Sequence, residues 1–390
     1  MRMKRFTLWG TSFAKIGDEA QIVSVNQRLE SVYDAIDVVL LDRGREKTRV
    51  AYSSIRTIRV RNAWLSLPRI ARSDALIVIG APFFESPRQV IHCLFVMFTA
   101  MIFRTPVLCY GITVFDYGTL WGEKLFAFLL NRVDRLAIRE QIGTEIARRI
   151  GVVKECHLIT DPRCLLNPAS EAVGVALLKR AGIDPGRPLV GVTTRYMDEN
   201  IPDWVKRNQG FSSETNKQAN ATIGAIIGDL AATAQILIIP MHKTPEEDAA
   251  MEDVVRRNDQ NLTSIKLLDR NMSATECMAV MKHCDMLISS RLVSSVFGAA
   301  LGVPTFSIAY DARMMGFVDS VGAKDHAVEW DTMNKDSVSA KVKEMWENRE
   351  TVGTQRQYVA DRLRRDVECE AHLLSLNGET ERFTSRLRGD

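Results

Sequence analysis

Short runs of consecutive apolar residues alternate with longer amphipathic stretches along almost the whole of this chain, and that alternation limits the folds open to it. Residues 6–9, 38–41, 75–80 and 106–111 are of strand length and almost continuously apolar, with shorter strands expected near Leu136 and Leu158. A strand that is apolar on both faces has to be covered on both, and the intervening segments supply the covers. After Asp18, the residues Ile22, Val25, Leu29, Val32 and Ile36 recur at three- and four-residue spacing, which predicts one apolar stripe along a helix. Strand, helix and strand in turn predict a parallel sheet of the α/β class.

The alternation is interrupted once. Residues 167–170 and 184–188 are rich in turn formers, with a short helix expected between them. Strands then resume at 189–194, 235–240, near Ile265, at 286–289, 305–309 and 327–330. Ser273 and Glu276 have the spacing of a capping box, which marks one helix start. From Lys335 onward the sequence reads as helix and ends in a polar tail. A chain of 390 residues suits two domains. The expected architecture is therefore two facing Rossmann-like domains with an interdomain cleft, residues 1–168 and 169–330, followed by a helical extension over 331–390.

Charge and cysteine usage remove several function classes. Lys and Arg number 51 against 48 Asp and Glu, a net +3, so the concentrated basic excess of a nucleic-acid binder is missing. Seven cysteines form no CxxC pair, which argues against a disulfide framework or a four-cysteine zinc site, and no metal is expected. Buried thiols in a reducing, cytoplasmic setting are the expectation. The first residues lack the pattern of a signal peptide. The longest apolar stretch, residues 90–103, falls short of the roughly 20 residues that span a bilayer. It is expected as a helix buried between a sheet and its neighbours, with shallow peripheral membrane contact as the alternative because Arg88 and Arg104 flank it.

In an open parallel sheet, ligands gather beyond the carboxyl ends of the strands. Residues 10–19 follow the first strand, where Gly17 permits a close approach and Asp18 either caps the helix or faces the cleft. Neither GxGxxG after the first strand nor GxxxxGK[ST] anywhere is present, which disfavours NAD and P-loop chemistry. Arg195 ends a strand, and its planar fork suits a carboxylate or phosphate, although a surface ion pair would also explain it. His242, at the end of another strand, is either a proton donor or a polar residue at a loop mouth. Ser289, Ser290 and Arg291 lead into a helix of small residues closed by Gly302. Hydroxyls, an arginine and free helix N–H groups at one point make an anion site.

Ile16-Gly17-Asp18-Glu19, Asp161-Pro162, Ser290-Arg291-Leu292, Gly302-Val303-Pro304, and Tyr310-Asp311 with Gly316-Phe317 occur in an order that resembles the polysaccharide pyruvyl transferase family, from Trp9 to about Gly322. The resemblance implies a two-domain fold like that of GT-B glycosyltransferases. It implies transfer of the carboxyvinyl unit of phosphoenolpyruvate onto two hydroxyls of one sugar, giving a cyclic ketal and phosphate, without a cofactor. Arg291 and Leu292 would then lie at the phosphoenolpyruvate site, with Ser290 and Tyr310 beside them, and Arg195 and Arg291 would match the donor's two charges. Asp18 would bind or deprotonate the acceptor, a glycan or lipid-linked saccharide. The family normally follows Arg-Leu with a proton-donating histidine, where this chain has Val293, so His242 is the candidate replacement. Two other readings stand beside this one. One is a GT-B glycosyltransferase using a nucleotide sugar, with the seven basic residues from Arg43 to Arg61 turned toward a membrane-linked acceptor. The other is a non-catalytic relative that binds glycans or anions.

Overall fold

The computed structural model of the chain describes residues 3–11, 13, 15–42, 52, 54–59, 63–80, 87–114, 120–193, 213–241 and 264–376. It divides into two compact units, Met1–Leu166 with Arg365–Asp390, and Asn167–Arg364.

The first unit carries strands β1 (Lys4–Trp9), β2 (Ile36–Asp42), β3 (Ile55–Arg59), β4 (Ala75–Gly80), β5 (Val107–Ile112), β6 (Arg135–Ile138) and β7 (His157–Leu158). They pair in parallel in the order β3-β2-β1-β4-β5-β6-β7. Its helices are α1 (Ile16–Val32), α2 (Leu67–Ala71), α3 (Pro87–Ile102), α4 (Leu120–Leu130) and α5 (Gln141–Arg149). The strands are covered on both sides, as their apolar runs require. Cys93, Val96, Phe126 and Leu130 of α3 and α4 pack on Val39, Val78 and Cys109. Ile22, Val25 and Leu29 of α1 pack on Phe6, Leu8 and Leu40.

Two local expectations are corrected here. The α1 stripe ends at Val32, and Ile36 opens β2 opposite Lys4 instead of extending the helix, because Tyr33 takes an extended backbone at the helix end. Strand β3 lies within the basic run and was not expected as a strand. Only Ile55 of its five residues is buried, and Arg56 bonds Asp37 of the neighbouring strand, as suits an edge.

The second unit repeats the plan. Strands β8 (Leu189–Thr193), β9 (Gln235–Ile238), β10 (Ile265–Leu267), β11 (Met286–Ser289), β12 (Thr305–Ala309) and β13 (Ala327–Glu329) form a parallel sheet ordered β10-β9-β8-β11-β12-β13. The described helices are α6 (Glu171–Arg180), α7 (Ser213–Ala231), α8 (Ala274–Met281), α9 (Leu292–Leu301) and α10 (Ala312–Ser320). The Ser273–Glu276 capping box is present at the start of α8. Helices α11 (Lys335–Glu347) and α12 (Arg349–Cys369) follow, with a 3-10 turn over Glu370–Leu374.

Residues 331–390, expected as one extension, are shared between the units. Val338, Val342 and Met345 of α11 join Trp330 in the second core. Leu373 and Leu374, beyond α12, are buried in the first, where Tyr33 donates to the Leu374 carbonyl. Burial of apolar side chains at both ends of the segment explains the division.

In each sheet the chain builds outward from its first strand and then crosses back to that strand's other side, at β1/β4 and at β8/β11. These are topological switch points, where loops diverge and leave room for ligands.

Candidate functional site

At the second switch point Ser289 pairs in register with Thr193, and the Ser290 N–H donates to the Thr193 carbonyl at 2.9 Å. The chain then passes through fully buried Ser290 to Arg291, the extended residue that precedes α9, and on to buried Leu292. Beneath this corner runs a chain of buried hydroxyls. Thr193 Oγ1 and Ser294 Oγ are 2.6 Å apart, Ser294 and Ser289 2.7 Å, Ser289 and Ser295 3.0 Å, and Ser295 and Ser307 3.0 Å. Ser289 and Ser294 each reach the Arg291 carbonyl at 2.9 Å. The backbone of Arg291 is therefore held from below by neutral groups that satisfy one another.

Small residues make this corner possible. A Cβ on Gly298 would come within 2.1 Å of Thr305 Oγ1, so α9 sits on the sheet only as glycine allows. Gly302, at φ 70°, ends the helix in the left-handed region, as its position predicted. The Arg291 residue is 9% exposed and immediately precedes the first turn of α9. Within residues 291–300, Val293 alone is not buried. Its side chain is therefore not simply core packing. Tyr310 follows the adjacent strand, half-buried against the second core. Asp311 beside it accepts from Met314 N at 3.0 Å and from Arg313 Nε at 2.9 Å, which anchors the start of α10.

Arg195 and His242 lie outside the described residues. Arg195 stands two residues beyond Thr193, where β8 ends, and His242 follows Met241 beyond β9.

The first switch point is built differently. Gly10 and Gly80, at φ 116° and 76°, end β1 and β4. Helix α1 starts at Ile16 with Lys15 before it, so Asp18 is not the N-cap that one reading of the sequence made it. Gly17 and Asp18 occupy the first turn and are both partly exposed, and the Asp18 charge suits the positive end of the helix.

Behind them lies a polar network that sequence reasoning missed. Fully buried Glu19 accepts from Tyr52 Oη at 2.7 Å. Gln21 donates to the Gly111 carbonyl at 2.9 Å and accepts from Arg139 at 2.8 Å. Arg139 also donates to Glu140 at 2.7 Å and to Thr113 at 2.8 Å. Asp161 accepts from the Arg163 backbone at 3.0 Å and from its guanidinium at 2.8 Å, 3.8 Å from Arg139 Nε. Burial alone would raise the Asp161 pKa, but the Arg163 charge and hydrogen bonds outweigh it and hold the carboxyl at about 2. A Cβ on Gly111 would lie 2.8 Å from Pro162 Cγ, so Asp161-Pro162 locks the end of β5. The local signals were this motif and Glu19 in the Ile16–Glu19 stretch, while the Gln21–Arg139 contact joins residues 118 apart in the chain.

Among the described residues, no three His, Cys, Asp or Glu side chains cluster as metal ligands. The buried thiols Cys109 and Cys284 are pushed up by desolvation, which makes them poor nucleophiles.

Comparison with known proteins bears on both units. The family described as Polysaccharide pyruvyl transferase matches residues 16–312. The amylovoran biosynthesis protein AmsJ of Erwinia amylovora is 21% identical over 293 residues, 74% of this chain and 69% of that protein. Among solved structures, the UDP-GlcNAc 2-epimerase of Methanocaldococcus jannaschii is similar with a TM-score of 0.56 at 13% identity, over 87% of this chain and 92% of that one. The spinosyn rhamnosyltransferase SpnG is similar at 0.50 and 10% identity, over 92% and 95%. These likenesses show a two-domain α/β fold of the GT-B kind.

Proposed function

The chain belongs to the polysaccharide pyruvyl transferase family, transferases of polysaccharide biosynthesis, and on that premise we propose that it moves the carboxyvinyl unit of phosphoenolpyruvate onto a sugar of a polysaccharide or its precursor. The observation that carries this reading is Arg291, a nearly buried cation at the second switch point with its backbone fixed by Ser289 and Ser294. A guanidinium carried on a backbone fixed in this way suits a carboxylate or phosphate, and the donor has both. Arg195, close behind β8 in sequence, is assigned the second charge, with Ser290, Leu292 and Tyr310 completing the donor site.

The chemistry balances without a cofactor. One sugar hydroxyl adds to the substituted carbon of the donor's double bond while the methylene carbon takes a proton. A second hydroxyl of the same sugar then forms the other C–O bond as phosphate leaves. The products are a cyclic pyruvate ketal and inorganic phosphate. A base near the acceptor and an acid near the methylene carbon are required. Asp18 is assigned to the acceptor. Val293 has no proton to give, so His242 is assigned as the acid.

The test is phosphate release from phosphoenolpyruvate in the presence of a panel of glycan and lipid-linked saccharide acceptors. Acceptor-dependent release with a pyruvylated product supports the proposal. Release from a nucleotide sugar instead, or binding without turnover, would replace it by glycosyl transfer or by a binding role.

A further inference from the structure

Helix α3 is apolar all round, yet the structure buries only part of it. Cys93, Val96, Met97 and Ala100 face the first core. The opposite stripe, Ile91, Phe98 and Ile102, is 66%, 52% and 64% exposed, and Phe103 continues it. Its neighbours extend the surface. Trp64, 68% exposed, sets its ring 4.9 Å from that of Phe95, while α4 turns Leu125 and Phe128 outward. Helices α3 and α4 pack into one core cluster and the Trp64 ring lies against Phe95 of α3, so the exposed side chains share one side of the sheet. Single exposed apolar residues need no explanation, but a contiguous aromatic and aliphatic surface marks a contact.

The charge around this surface says what covers it. Among the described side chains of residues 63–72, 87–104 and 120–132, Arg72, Arg104, Lys124 and Arg132 are exposed against one acid, Glu123, while Arg69 is turned to the sheet and paired with Asp37 at 2.9 Å. The whole chain is nearly balanced, so the excess is local. Arg104 is exposed just beyond α3, and Arg132 stacks 3.6 Å over the Phe128 ring. The nearby acids Asp74 and Asp134 already accept backbone N–H groups of Arg5 and Val107, each at 2.8 Å. A second copy of this chain would meet the surface with the same cations, and like charges would oppose the pairing. An apolar surface with tryptophan and a basic rim fits the headgroup region of an anionic bilayer. No helix among the described residues is long and apolar enough to cross a membrane, so the contact is made by lying on it.

We propose that the face formed by Trp64, α3 and α4 docks on an anionic lipid bilayer. The proposal does not depend on which donor the protein uses. Its test is co-sedimentation of the full chain with vesicles of phosphatidylcholine and phosphatidylglycerol in equal parts, and with phosphatidylcholine alone. Binding is expected on the mixed vesicles, weakening as salt rises. Phe98→Asp and Ile102→Asp should each weaken it about tenfold or more, since each removes a side chain from the bilayer and adds a buried charge. Arg104→Ala should weaken it about fivefold. All three positions are exposed, and matching circular dichroism, with Phe98→Ser as a milder variant, guards against misfolding. Failure to sediment with the mixed vesicles would overturn the proposal, as would wild-type binding by both aspartate variants. A dimer in solution that Phe98→Asp dissociates would give this face to a second copy and overturn it too. Phosphate release with a water-soluble acceptor should be unchanged in Phe98→Asp, which separates this inference from the catalytic one.

Discussion

The two switch points share a strand order and differ in what fills them. Under the first lie buried charges that neutralise one another, Arg139 with Glu140 and Arg163 with Asp161. Under the second lie neutral hydroxyls, from Thr193 through Ser307, and one nearly buried arginine. One topology thus gives a corner built on buried ion pairs and a corner built on buried hydroxyls around the backbone of Arg291. The proposed function puts the donor at the Arg291 corner and the acceptor near Asp18, which is partly exposed.

The largest effect expected concerns the acid. His242→Ala should lower pyruvyl transfer by about 10²–10⁴-fold, and adding Val293→His should restore much of it, because position 293 is the open one on the first turn of α9. A gain from Val293→His with no loss from His242→Ala would show that the native chain lacks the acid.

Stability separates the corners next. Arg163→Met leaves Asp161 buried with only Arg139 nearby, and should cost about 3–5 kcal/mol in urea unfolding. Ser294→Ala removes one hydroxyl from a neutral chain and should cost about 1–3 kcal/mol. Equal costs would erase the distinction between a charged corner and a neutral one.

The smallest effect is one of pH, at the first unit's tie to the C-terminal segment. Glu370 accepts from Thr160 N at 3.0 Å, and burial raises its pKa to about 7 despite those hydrogen bonds. A carboxyl whose folded pKa is raised stabilises the fold below its unfolded value of about 4.3, and that contribution is lost as pH rises through about 7. Asp161 has the opposite sign. Its contribution is present above about 3.9 and lost as pH falls through about 2. Glu370→Gln should flatten the decline in stability between about pH 4.3 and 7, read from urea midpoints across that range. An unchanged slope would remove Glu370 as its source.

What could be read from the sequence follows the range of the forces involved. Strands such as β4 and β5 are continuous apolar runs, and Gly302 and the Ser273–Glu276 box act within a few residues, so each is legible locally. Arg291 was legible for the same reason, since strand end, arginine and helix start are consecutive. Strand β3 was not, because an edge strand with four exposed residues carries no apolar pattern. Nor was the division of the last helices, which depends on Leu373 and Leu374 finding a core more than 200 residues before them in the chain. The Gln21–Arg139 contact has no local spacing at all. The apolar stretch at 90–103 reads as a helix buried between the sheet and its neighbours, whereas the structure packs one face of that helix on the sheet and leaves the other exposed, which the run of apolar residues alone does not reveal.

The central claim is the proposal that the Arg291 corner of the second unit holds the donor, and calorimetry with phosphoenolpyruvate tests it most directly. Arg291→Ala should weaken binding about tenfold or more, since a charge-assisted hydrogen bond contributes about 1.5–3 kcal/mol. Asp18→Asn, in the other unit, should leave donor affinity as it is. Undiminished affinity in Arg291→Ala, or a loss confined to Asp18→Asn, would contradict the account.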